Sequence, residues 1–229
     1  NTEMDLSLDN YTSSLLEINY EKTSNDNYLK LFDLKSPLLL ESKDVLESRI
    51  KLDLEHENYD LTTSFIMFET LSDSNTDRYQ YVLPSYNFSK NFNLEQLDGS
   101  FNFSSSGENS LRNTNVYTTS LSNNLNYDTN NIFFDNGIKT NFEVLLKNIN
   151  TVGKNNPLYK ESPQSELMSA YVYNTSLPLV KNTEKNRNTL EPKLSFRFSP
   201  HDMKNNSTQE RRMSIDNVFG ADRLGMGNS

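Results

Sequence analysis

Cysteine is absent from this chain, so no disulfide framework and no thiolate metal centre holds it together. The absence fits a reducing compartment or an envelope protein whose cross-links lie elsewhere. Long apolar runs are missing as well. Clusters such as Ser36-Pro37-Leu38-Leu39-Leu40 fall far short of the roughly 20 apolar residues of a membrane-spanning helix, so a membrane crossing would have to use strands. Excess positive charge is also lacking. The formal net charge is −9 and the only adjacent basic pair is Arg211-Arg212, which argues against a nucleic-acid partner. Hydrophobic residues are scarce, at 34% of 229, and mean hydropathy is −0.74. A soluble domain this polar would struggle to fill a core. The start, Asn1-Thr2-Glu3-Met4-Asp5, has neither the basic nor the apolar region of a signal peptide. With the ending at Gly225-Met226-Gly227-Asn228-Ser229, the sequence reads as a fragment.

What the chain does have is alternation. Leu190, Pro192, Leu194, Phe196 and Phe198 alternate with Glu191, Lys193, Ser195, Arg197 and Ser199, and Leu46, Ser48, Ile50, Leu52 and Leu54 with Glu47, Arg49, Lys51, Asp53 and Glu55. Successive side chains of a strand point to opposite faces, so each stretch predicts one apolar and one charged face. A wall between acyl chains and a wet lumen needs that pattern and needs no filled core. The expected fold is all-β, an antiparallel transmembrane β-barrel, of which residues 1–229 form a part with about ten strands. Glu47, Arg49, Lys51, Asp53, Glu55, Glu191, Lys193 and Arg197 are the candidate lumen-facing set.

Turn signals divide the rest. Met4–Leu8 and Leu16–Tyr20 predict a hairpin, with Ser24-Asn25-Asp26-Asn27 as the turn that follows, and residues 28–43 a connection. Val45–Glu57 and Tyr59–Leu71 predict strands joined at Glu57-Asn58, and Asp73–Asp77 a loop. Arg78–Lys90 is a strand whose Pro84 cannot donate to the ladder and so marks a bulge or open pairing. Asp98-Gly99 opens a strand through Phe101 and Phe103, Ser106-Gly107-Glu108-Asn109 reads as a turn, Thr114–Tyr127 returns, and Tyr127–Asn131 turns again. Ile138–Asn150 follows Asn136-Gly137; helical periodicity competes around Phe142–Lys147, and the alternating flanks favour strand. Thr151–Gln164 reads as a loop, Leu167–Leu179 as a Tyr-rich strand, Lys181–Arg187 as a turn, Leu190–Ser199 as one strand and Arg211–Phe219 as the last.

Chemistry-bearing constellations are sparse. His56 and His201 are the only histidines, and no Gly-x-Ser-x-Gly elbow accompanies His201-Asp202, so no catalytic residue is assigned. The acidic clusters lack the spacing of a calcium loop, and neither a metal nor a cofactor is expected.

Two linked elements near the end carry a family likeness. Leu190-Glu191-Pro192 opens an alternating strand, and after a polar loop Gly220, Asp222, Arg223, Gly227 and Asn228 form a Gly-x-Asp-Arg…Gly-Asn element. Together with Leu83-Pro84-Ser85-Tyr86 and the Gly99 strand after it, this resembles the C-terminal barrel domain of the lipopolysaccharide-assembly outer-membrane protein family. The resemblance implies a large barrel in the outer membrane of a Gram-negative bacterium. Such a barrel would receive lipopolysaccharide from periplasmic bridge proteins, hold a small plug lipoprotein and insert its cargo into the outer leaflet. Pro84, Gly99, Glu191, Pro192, Gly220, Asp222, Arg223, Gly227 and Asn228 would be wall and turn positions, with Asp222 and Arg223 an ion pair or hydrogen-bonded pair. The periplasmic domain and the first and last barrel strands would lie outside this sequence. A porin, a barrel enzyme and a secreted β-rich adhesin are the other readings that the alternation allows; an adhesin should show a fixed repeat, and none is evident.

Overall fold

The computed structural model describes residues 1–26, 44–71, 78–92, 98–112, 115–183 and 186–200. Those residues hold thirteen strands and no helix. They are β1 (Thr2–Asp5), β2 (Ser13–Asn19), β3 (Val45–His56), β4 (Tyr59–Thr70), β5 (Tyr79–Phe92), β6 (Gly99–Arg112), β7 (Val116–Thr129), β8 (Ile132–Phe133), β9 (Lys139–Lys154), β10 (Gln164–Ser176), β11 (Leu179–Asn182), β12 (Arg187–Leu190) and β13 (Lys193–Phe198). Eleven strands form one sheet in the order β1-β2-β3-β4-β5-β6-β7-β9-β10-β13, with β8 on β9, while β11 and β12 pair separately. The order follows the chain, as expected where each strand pairs with the next through a hairpin.

Two compact units divide the chain. One comprises Asn1–Lys90, Ser104–Asn123 and Ile149–Glu166, the other Asn91–Phe103, Asn124–Asn148 and Leu167–Ser229. In the first, β3 and β4 pair without a break from Val45↔Thr70 to His56↔Tyr59. The hairpin turns at Glu57-Asn58, as the alternation predicts. Between β4 and β5 the register shifts between Ser64 and Ile66, opposite Pro84, where the missing N–H leaves the ladder open.

The predicted turn at Ser106–Asn109 is not one: β6 runs unbroken through it. Gly107 serves there as a recess. A Cβ on it would lie 2.5 Å from Cε1 of Tyr86, so the tyrosine ring occupies the space a side chain would take. A glycine amid Ser, Glu and Asn reads as a turn from local chemistry, and only the neighbouring strand shows that it answers an aromatic ring. Gly153 lies close beneath Tyr159, and β9 runs on to Lys154, into the stretch that reads as a loop from Thr151.

In the second unit, Phe142–Lys147 is strand, within β9. The turn before it places Gly137 at φ +82°, a conformation that favours glycine, with the Gly137 amide donating to the Phe134 carbonyl at 2.9 Å. The stretch Leu190–Ser199 is not one strand. Leu190 ends β12 opposite Leu179, Glu191-Pro192 lies between strands, and β13 begins at Lys193 opposite Ser176. Pro192 removes a ladder donor, so the alternation there runs across a break. The last predicted strand, Arg211–Phe219, lies outside the described residues, as do the connection after Asn27 and the loop at Asp73–Asp77.

Burial is inverted relative to a soluble domain. Among the described residues the buried apolar side chains are Leu46, Leu71, Val82, Ala170 and Val172, whereas the buried polar ones are Ser14, Ser64, Glu69, Ser105, Ser110, Thr140, Lys147 and Ser169. Ile50, Phe65, Phe142, Tyr171, Leu194, Phe196 and Phe198 are exposed. Polar side chains outnumber apolar ones among the buried residues while large apolar groups stay outside, so the stability of this sheet rests on its ladder and its surroundings rather than on a core.

Candidate functional site

The charged candidates of β3 lie on one face with partners from both neighbours. Register puts Lys51 opposite Glu17 and Ser64, and Asp53 opposite Thr62. The Arg49 guanidinium donates to Glu17 at 2.9 Å and lies 3.2 Å from Glu47, while Lys51 pairs with Asp53 at 2.7 Å. Thr62 donates its hydroxyl to the same Asp53 carboxylate, at 2.7 Å. Glu55 shares the face, opposite Ser13 and Asp60. Both signs occur along this row, from Glu47 through Arg49 and Lys51 to Asp53 and Glu55, so it is polar without a strong field of one sign.

The opposite face of the same strands is apolar. Ile50 lies opposite Ile18 and Phe65, and Leu52 opposite Leu16. Ile50 and Phe65 are each nearly half exposed. In the second unit Phe196 and Phe198 lie opposite Tyr173 and Tyr171, and Phe142 packs against Tyr173 with ring centroids 4.8 Å apart. On the other face of these strands Asn174 donates to Glu143 at 2.6 Å and accepts from the Ser195 hydroxyl at 2.7 Å. Lys193 and Arg197 alternate with Leu194, Phe196 and Phe198 as expected, but Glu191 sits in the break before β13, 3.6 Å from Lys193, rather than on a strand face.

Sequence reading missed an ionic clasp. Arg78, just before β5, donates to Asp26 at 2.6 Å and to Glu69 at 2.6 Å, and the Tyr79 hydroxyl reaches the same Glu69. These hydrogen bonds, Asp26 first, raise the Arg78 pKa above its ordinary value, so the clasp keeps its cation at any working pH. Asp26 and Arg78 are far apart in the chain, and nothing local announces their meeting. Arg78→Gln is expected to release the segment at Asp26, making Thr23–Asp26 the first site of limited proteolysis; an unchanged cleavage pattern would show that the clasp does not hold it.

His56 has an aromatic role. Its ring stacks on Tyr59 at 4.5 Å and meets Tyr11 edge-on at 6.0 Å. The described residues contain no metal-holding group of His, Asp and Glu. His201-Asp202, Gly220, Asp222, Arg223, Gly227 and Asn228 lie outside the described residues. Pro84 sits at the β4–β5 irregularity, and Gly99 opens β6 against the backbone of Asp128 and Thr129.

A two-faced antiparallel meander with this sequence matches a family model described as LPS transport system D, LptD, over residues 5–224. The chain belongs to the LptD family. Comparison with curated proteins gives no match. Membership spans nearly the whole chain, including Leu190-Glu191-Pro192 and Gly220, Asp222 and Arg223 of the second motif, and makes involvement in lipopolysaccharide transport the function to explain. LptD proteins are β-barrels of the Gram-negative outer membrane, transport and assembly proteins whose substrate is lipopolysaccharide, and the antiparallel sheet described above is the wall such a barrel requires.

Proposed function

We propose that residues 1–229 are part of the wall of an outer-membrane translocon barrel that inserts lipopolysaccharide into the outer leaflet. The observation that carries this reading is the pairing of an ion-paired face with an exposed apolar face on the same strands. The charged set from Glu47 to Glu55, with Lys193 and Arg197, faces the wet lumen through which a sugar-phosphate headgroup passes. Ile50, Phe65, Leu194, Phe196 and Phe198 face acyl chains.

Dimensions support the same reading. On the apolar face Tyr59 stands beside Phe88 at one end of β4, and Tyr79, stacked on Tyr81, lies opposite Glu69 at the other. At about 3.3 Å per residue these aromatic ends are about 33 Å apart along the strand, or about 25 Å along the membrane normal at a tilt of about 40°, the height of the apolar band of outer-membrane barrels. The partners implied are the periplasmic bridge that delivers lipopolysaccharide, a plug lipoprotein and the surrounding outer-membrane lipid. A passive porin would share the wall, but family membership favours transport.

Depletion of the full-length protein in its host tests the role. Loss of surface lipopolysaccharide with accumulation behind the outer membrane is expected; normal surface lipopolysaccharide with altered uptake of small solutes would favour the porin. Single cysteines test the orientation of β13. Ser195→Cys should react with a water-soluble maleimide and Phe196→Cys should be quenched by lipid-borne probes, and equal behaviour of the two would overturn the assignment of faces.

A further inference from the structure

A polar seam crosses the apolar face of the first unit. On β4 and β5 this face carries Leu61, Phe65 and Phe88, with Tyr86 opposite Thr63. The Tyr86 hydroxyl lies 3.0 Å from that of Ser105, which donates to Asn123 at 2.8 Å. Ser105, Gly107 and Asn109 stand at alternate positions of β6, and Tyr117, Thr119 and Asn123 at alternate positions of β7, so all share the face of Tyr86 and Phe88. The Asn109 Oδ1 accepts from Thr119 at 2.7 Å and from Tyr117 at 3.3 Å.

Depth makes the seam costly. Gly107 lies beneath Tyr86, two residues in from the aromatic end at Phe88, and β6 runs back from that end, so Asn109 lies two residues deeper. At about 3.3 Å per residue Asn109 is about 13 Å inside the aromatic end along the strand, within the apolar band. Hydrocarbon offers no hydrogen bonds, so each polar group there needs a protein partner. Tyr86, Ser105 and Thr119 find theirs within the seam. The Nδ2 of Asn109 has none among the described residues, and the side chain is only half-buried, so its two N–H donors are open to the outside.

Chemistry selects what covers it. Every polar group of the seam is a hydroxyl or an amide, able both to donate and to accept, and none is ionised. Such a surface complements itself, whereas like charges on a docking face would repel their own copies. Copies in one membrane share an orientation, so a two-fold axis between them runs along the membrane normal and brings residues of equal depth together. We propose that the outer face of β5, β6 and β7 seats a second copy of this chain within the membrane, with Asn109 meeting its counterpart at the two-fold axis. The inference rests on the proposed lipid-facing orientation of the wall.

The test uses two differently tagged full-length copies in one outer membrane, with a photo-crosslinking residue at Leu121, on the seam face of β7, or at Ile50, on the apolar face of β3. A protein adduct carrying both tags is expected from Leu121 and not from Ile50. Asn109→Leu should lower that adduct about tenfold, the worth of a hydrogen bond between membrane-buried partners. Asn109→Ala should do the same without added bulk, and the mobility shift of folded barrels shows that each variant folds. An adduct that joins one tag to a different protein would overturn the second copy as the occupant. Equal two-tag adducts from Leu121 and Ile50, or adducts indifferent to Asn109, would overturn the docking face. Lipid adducts alone from both positions would overturn it while leaving the orientation of the wall standing, and adducts of neither kind would overturn the orientation as well.

Discussion

Phe65→Arg is expected to destabilise the folded wall by about 2–4 kcal/mol, the cost of a cation on the lipid face of a barrel near the bilayer midplane. Phe65 is 47% exposed in the middle of β4, opposite Ile50, with the β5 irregularity on its other side. Its neighbours on this face are Ile50, Leu52, Met67, Thr63 and Ser48, none of them a carboxylate, so a guanidinium placed there has no anion to pair with. The same charge at Ser120, on the polar face of β7, should cost less than about 1 kcal/mol because it stays in water. Denaturant unfolding of the full-length protein in lipid vesicles, followed by the mobility shift of folded barrels, measures both. Equal costs would mean that the exposed apolar face of this sheet does not meet lipid.

Gly107→Val is expected to cost about 1–3 kcal/mol, the range for forcing extra atoms into an occupied space. The Tyr86 ring lies where the new side chain must go. It cannot swing clear without loss, because its hydroxyl is tied to Ser105 at 3.0 Å and Ser105 in turn donates to Asn123 at 2.8 Å. Breaking that chain leaves the buried Ser105 hydroxyl short of a partner. In a Tyr86→Ala background most of the penalty of Gly107→Val should disappear, and a double-mutant cycle reads the difference. Additive effects would show that Gly107 and Tyr86 do not share this space.

Both predictions depend on features that differ in how far the sequence announces them. The face of Phe65 is legible from alternation alone, because strand geometry assigns each residue to a side without reference to any neighbour. The same rule placed Glu47 to Glu55 together on β3 and kept Phe142–Lys147 in a strand. Gly107 is illegible, because its role belongs to the tyrosine of an adjacent strand. Pro192 shows the limit of alternation: the pattern crosses Glu191-Pro192 undisturbed, yet the chain leaves one ladder at Leu190 and joins another at Lys193. Alternation reports side, not partner.

By itself the sequence determined the all-β class, the two-faced character of the strands, the hairpin at Glu57-Asn58 and, through its linked motifs, the resemblance that family membership upholds. These are local properties, set by backbone pleat, turn chemistry and the balance of polar and apolar residues. Tertiary structure decided the clasp of Arg78 on Asp26 and Glu69, the seating of Tyr86 over Gly107, and the network of Asn174, Glu143 and Ser195. Each of these joins residues distant in the chain, and only the register of the assembled sheet brings such side chains within hydrogen-bonding reach.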